Sequence, residues 1–151
     1  MWKNLKSLFR IRPVSNDKII FNKKETDYDI SVEFYYSNLI NSLILFTMTT
    51  KELDKLDGPL FNAMTELESE IDYAFTPVCF DTIFRNELID TSHKSELLSL
   101  HLLTDNIPSE IWDWEFIDNH ETWYKTRHKA NVLLNKLNVK SRTYNDNFRT
   151  I

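Results

Sequence analysis

A chain of 151 residues with 42% hydrophobic and 27% charged residues is the size and make-up of one globular domain. At that length folding buries about 68–70% of the unfolded chain's surface, so no disulfide or metal is needed to hold it together. A single glycine, Gly58, excludes Gly-rich phosphate loops, and the single cysteine, Cys79, excludes an internal disulfide and zinc sites built on cysteine pairs.

The net charge of −5 is strongly segregated. Residues 1–24 hold seven Lys/Arg against Asp17, and residues 25–49 hold four acids and no base. Residues 50–118 hold sixteen acids against Lys51, Lys55, Arg85 and Lys94, a net −12. Residues 119–151 return to a net +5. An acidic middle of this strength attracts basic partners and repels nucleic acid, unless the basic ends fold back and cover it.

In chain order, Trp2, Leu5, Leu8 and Phe9 share one face of a short basic amphipathic helix. It lacks the continuous apolar run of a signal peptide and reads as packed on the domain or, alternatively, lying on a membrane surface. Ile19-Ile20-Phe21 is a short strand candidate. Residues 28–36 alternate, with Tyr28, Ile30, Val32, Phe34 and Tyr36 on one side, which is the period of a strand with one wet face. Residues 42–49 read as a third strand; a helix from Asn38, with Leu39, Leu43 and Phe46 on one face, is the alternative.

From Thr49 the period becomes 3.6. Thr49 and Glu52 form a capping box for a helix over 50–56. Further helices are expected over 59–75, 77–89 (opened by Thr76-Pro77), 93–103, 109–117 and 119–137, the last with Asp118 and Glu121 as capping box. Leu60, Met64, Leu67, Ile71 and Ala74 give the clearest apolar stripe; Leu97, Leu98, His101 and Leu102 give another. Residues 139–151 read as a loose, basic tail. The fold expected is α+β and helix-dominated, a single domain over 1–151. A small antiparallel N-terminal sheet of two or three strands precedes five or six helices, with an all-α fold as the alternative.

Motifs for chemistry are few. His93/His101 and His120/His128 are spaced i, i+8, too far apart on a helix to share one ion. Glu66/Glu70 and Glu68/Asp72 are i, i+4 carboxylate pairs, able to face solvent, meet a basic partner, or serve acid–base or divalent-ion chemistry. Asp81 and Arg85 are spaced for an intrahelical ion pair. Lys140, Arg142 and Arg149 with Tyr144 and Phe148 mix cations and rings, but the acidic middle opposes a nucleic-acid role. Three of the four tryptophans fall between Trp112 and Trp123, interleaved with Asp113, Glu115, Asp118 and Glu121. That segment reads either as a connector plugging the core or as a contact anchor with a charged rim.

No quotable motif carries a family. The profile as a whole, small, acidic, poor in cysteine and free of cofactor motifs, is similar to that of bacterial immunity proteins that neutralise basic toxins. The expectation is a non-catalytic, cytoplasmic inhibitor that occludes a basic protein such as a toxin nuclease. Its contact residues would be Glu66, Glu70, Asp72, Trp112, Asp113, Glu115 and Asp118, with no metal and no cofactor. The alternatives are a carboxylate-based, metal-assisted hydrolase and a membrane-surface adaptor acting through residues 1–12. Oligomeric state is open.

Overall fold

The computed structural model describes residues 27–148. Its helices are α1 (Val32–Thr47), α2 (Thr50–Leu56), α3 (Ala63–Ala74), α4 (Pro77–Arg85), α5 (Lys94–Asp105), α6 (Trp114–Ile117) and α7 (Glu121–Lys136). Single 3-10 turns lie at Thr91–His93, Ser109–Ile111 and Asp146–Phe148. Among the described residues β pairing is confined to an isolated bridge between Gly58 and Phe61, which closes the turn before α3.

The expected sheet is therefore overturned, and the all-α alternative describes the chain. Both strand candidates between residues 28 and 49 fall largely within α1, packed against α3, α4 and α7. Period two misled because the segment is apolar on nearly every side. Tyr35, which the alternation sets on the wet side with Asp29, Ser31 and Glu33, packs on the core, while Ile30, on its inward side, is 80% exposed. From Asn38 to Met48 every residue except Ile40 is buried. A helix enclosed all round shows no amphipathic period to read. The Ile19–Phe21 strand and the N-terminal amphipathic helix lie outside the described residues.

Enclosing α1 also buries Asn38, Asn41, Ser42 and Thr47, so each needs hydrogen-bond partners. Ser42 and Thr47 donate to the carbonyls three residues back, at 2.7 and 2.6 Å. Asn38 donates to Phe34 O at 2.8 Å. Asn41 reaches across the molecule: its Nδ2 donates to Asn145 O (2.9 Å), and its Oδ1 accepts from Asn145 N (3.0 Å). One side-chain amide thus pairs both backbone groups of a residue in the C-terminal segment. Tyr144, beside it, is buried, sets its ring edge-on to Phe61 at 5.4 Å and donates its hydroxyl to Glu70 Oε1. Tyr144, Asn145 and Phe148 thus tie part of the segment read as a loose tail to α1 and α3, and Arg142 ties it to α7.

Local signals set most helix ends. Thr49 caps α2 by accepting from Glu52 N at 3.4 Å, as its capping box requires. The α3 helix begins at Ala63, four residues after Pro59, because Asn62 supplies the cap and Asp57 accepts from Ala63 N. Glu87 and Asn138 adopt left-handed φ of 59° and 61°. Leu88 N bonds to Ile83 O and Val139 N to Leu134 O, so both residues close Schellman ends that stop α4 and α7. The cap of α7 is His120, whose Nδ1 accepts from Thr122 N at 3.1 Å, rather than Asp118. On α5, Leu97, Leu100 and Thr104 face inward, and Leu98 and Leu102 are exposed. Arg85 pairs with Asp29 at 2.7 Å and Asp81 with Lys94 at 3.6 Å, not with each other.

The Asn41 clamp gives a direct test. Asn41→Ala leaves a backbone N–H and C=O of Asn145 without their partner and should cost about 1–3 kcal/mol in denaturant unfolding. A loss below about 0.5 kcal/mol, the level of an ordinary surface change, would show that the segment is not held this way.

Candidate functional site: an acidic cleft walled by Trp112

The α3 helix turns Ala63, Leu67, Glu70, Ile71 and Ala74 inward and leaves Glu68 and Asp72 exposed, with Glu66 half-buried. Across from its second half stands the end of α5, carrying His101, Thr104 and Asp105. Ile107 and Trp112, from the chain that follows, complete the enclosure. Together they bound a cleft of about 210 Å³ whose walls are Glu68, Asp72, Thr104, Asp105 and Trp112 and whose apolar side is Ile71 and Ile107.

Trp112 stands at this position because the segment expected as a helix over 109–117 is broken. A 3-10 turn ends at Ile111, Trp112 takes φ −81° and ψ 69°, and α6 starts only at Trp114. The break frees the indole to lie over α3, donating Nε1 to Met64 O at 3.3 Å. Its inner side packs on Trp123 (centroids 4.9 Å apart) and Phe46 (6.3 Å). Trp123 is core, stacked on Phe46 and donating to Ile111 O at 2.7 Å. A second hollow of about 310 Å³ is lined by Met64, Thr65, Glu68, Ser69 and Trp112. Trp112 and Glu68 border both hollows.

The electrostatics of this face are one-sided. Among the described residues, Glu66, Glu68, Asp72 and Asp105 have no Lys or Arg nitrogen within 4.0 Å. The cation-forming group near them is His101, with Nε2 3.3 Å from Asp72 Oδ1 and 3.7 Å from Asp105 Oδ1. Its ring is stacked on Phe75 at 4.5 Å and 10°. Three described bases of the C-terminal third are used elsewhere. Lys136 pairs with Glu96, Lys129 donates to Ser99, and Arg142 donates to Asn131, Asn135 and Val139 O.

The contact set expected from the sequence is divided by this arrangement. Asp72 and Trp112 meet at the cleft, and Glu66 lies on the same helix as Asp72. Glu70 is wholly enclosed and accepts from Tyr144, so it belongs to the interior and its pairing with Glu66 is not a surface feature. Asp113 and Glu115 are exposed at the start of α6, with Asp113 Oδ1 accepting from Glu115 N. Asp118 is a tie between elements: it accepts from Thr50 N (2.9 Å) and Thr50 Oγ1 at the start of α2 and lies 3.6 Å from Arg127. Arg127 in turn donates to Ile117 O at 2.7 Å. Glu68, His101 and Asp105 lie outside the expected set. The i, i+4 spacing of His101 and Asp105 is a visible signal; the approach of Asp72, 29 positions from His101, is not.

No known protein family, curated protein or solved structure matches the chain. Among the described residues no helix is long and apolar enough to cross a membrane.

The Thr50 hydrogen bonds hold the Asp118 carboxyl below its ordinary value of 3.8, with Arg127 adding to the effect. A depressed folded-state value means the stabilisation is complete above the unfolded-chain value and is lost as pH falls through the folded one. Asp118→Asn should therefore lower the thermal midpoint at neutral pH, and the gap from the parent protein should narrow as pH drops below about 4. A gap that stays constant down to about pH 2 would contradict this role for the charge.

Proposed function

We propose that the protein is a non-catalytic binding module for a basic protein, with the Trp112 cleft and the neighbouring α3 carboxylates as its contact surface. The observation that carries this is the cluster of carboxylates, without Lys or Arg partners among the described residues, set around a half-buried indole. Carboxylates left without counterions at a cleft keep their field available to an incoming cation. An indole wall offers a face for an arginine or lysine head, and Ile71 and Ile107 offer an apolar surface for its stem. Among the described residues, Lys129, Lys136 and Arg142 are engaged with Ser99, Glu96 and the Asn131/Asn135 pair, which supports the acidic face as the side that meets a partner. Inhibition of a basic toxin such as a nuclease, by occlusion in the cytoplasm, is the most concrete form of this reading.

The test begins with a partner retained from the native cell by affinity capture, followed by binding kinetics against it. Association should slow steeply as ionic strength rises past about 0.1 M, where the screening length is about 10 Å, while dissociation changes less. Reversing Glu66 and Glu68 to Lys should slow association about tenfold or more with the fold intact. Glu70 is left out of the reversal, since a lysine there would place an unpaired charge in the core. Association that is insensitive both to salt and to the double reversal would refute the proposal.

A further inference from the structure

We infer that Asp72, His101 and Asp105 form a binding site for a divalent transition-metal ion of the zinc class. One imidazole nitrogen and two carboxylate oxygens, from two different helices, lie within 4.8 Å of one another. The distances from Nε2 are 3.3 Å to Asp72 and 3.7 Å to Asp105. A tetrahedral ion with bonds of about 2.0–2.2 Å keeps its ligands roughly 3.3 Å apart, so the Nε2–Asp72 distance already fits, and the two carboxylates must draw in around the ion to complete the set. The imidazole is already oriented by its flat stack on Phe75, and the Thr104 hydroxyl, donating to His101 O at 2.8 Å, braces the same turn of α5.

The charge arrangement points in the same direction. A bare Nε2 lone pair facing two carboxylates is repulsive, so Nε2 carries either a proton or a metal ion. A proton on Nε2 can point straight at one carboxylate only, and the 3.7 Å to Asp105 is beyond hydrogen-bond length. A metal ion attracts all three groups at once. Asp72 and Asp105 also line the 210 Å³ cleft, which leaves room for a water molecule as the fourth ligand, with Glu68 on the same wall. A nitrogen ligand in the set selects zinc-class ions over magnesium and calcium, which favour oxygen alone. A bound divalent ion would take up the charge of Asp72 and Asp105 and leave Glu66 and Glu68 to a basic partner, so the site is tested by itself, on the isolated chain.

Calorimetric titration of the metal-free protein with Zn²⁺ tests the site, with Mg²⁺ as comparison and visible absorption of the Co²⁺ form as a readout of tetrahedral coordination. The expected result is saturable binding of one Zn²⁺ per chain and much weaker binding of Mg²⁺. His101→Phe keeps a ring against Phe75 and removes the nitrogen; it should weaken Zn²⁺ binding at least about tenfold, as should Asp72→Asn. Asp72 is exposed, so its variant keeps the test decisive should His101→Phe fail to fold. His93→Ala and His128→Ala should bind as the parent does. Absence of saturable binding, binding unaltered in His101→Phe and Asp72→Asn, or binding lost in His93→Ala or His128→Ala overturns the site.

Discussion

The structure depends on burying the greater part of one helix, α1, from Asn38 onward, while pairing most of the polar groups it carries inside; Asn38 Oδ1 is the exception, buried without a partner among the described residues. Leu39, Leu43, Ile44, Leu45 and Phe46 supply apolar surface to α3, α4 and α7 on different sides, so no neighbour can shift without opening the core. Ser42 and Thr47 meet their hydroxyl requirement inside the helix itself, which is the least costly way to place a hydroxyl there. Asn41 instead commits its amide to the backbone of Asn145, and so draws the C-terminal segment across the helix. A buried polar residue of α1 thereby fixes where Asn145 and its neighbours lie.

The cleft follows from that packing. Because α3 must lay Leu67 and Ile71 on α1, Glu70 is carried inside with them, and Tyr144 is there to meet it because Asn145 is already fixed. Glu68 and Asp72 are turned outward by the same geometry. On the far side, Trp123 and Phe46 fill the space between α1 and α7, and Trp112 closes over them with its edge on Met64 O. The aromatic cluster is therefore mostly core, and one face of it becomes the wall of an acidic hollow. The same tryptophan segment serves as both core plug and candidate contact, two roles that its composition presents as alternatives.

Helices with one wet side are legible in the sequence, because 3.6-residue periods, the Thr49 cap of α2 and Pro77 at the first turn of α4 act locally. The same local rules fail where the environment overrides them. In α1 the apolar residues run through every phase, so a two-residue alternation around Tyr28–Tyr36 has no competing signal against it. In α5, Leu98 and Leu102 fit a stripe by type, but the turn of the helix is set by Leu97, Leu100 and Thr104. The contact set is legible in kind, acidic and aromatic, and not in membership. Whether Glu70 or Glu68 faces out is a matter of helix phase, and the meeting of Asp72 with His101 and Asp105 is a tertiary event that no spacing along the chain encodes. Asp118 is drawn to the acidic edge by its sequence neighbours, whereas its carboxylate is consumed at the start of α2.

The central requirement is that Trp112 forms the solvent-facing wall of a cation-accepting cleft while Trp123 is sealed in the core. The most direct measurement follows the indole N–H resonances of the tryptophans while an arginine-rich peptide is added at low salt. The Trp112 resonance should move and saturate, together with backbone signals from residues 64–72 and 104–112, and should return when salt is raised; Trp123 should hold its position. Peptide-induced shifts confined to α7, or absent from the Trp112 indole, would contradict this arrangement.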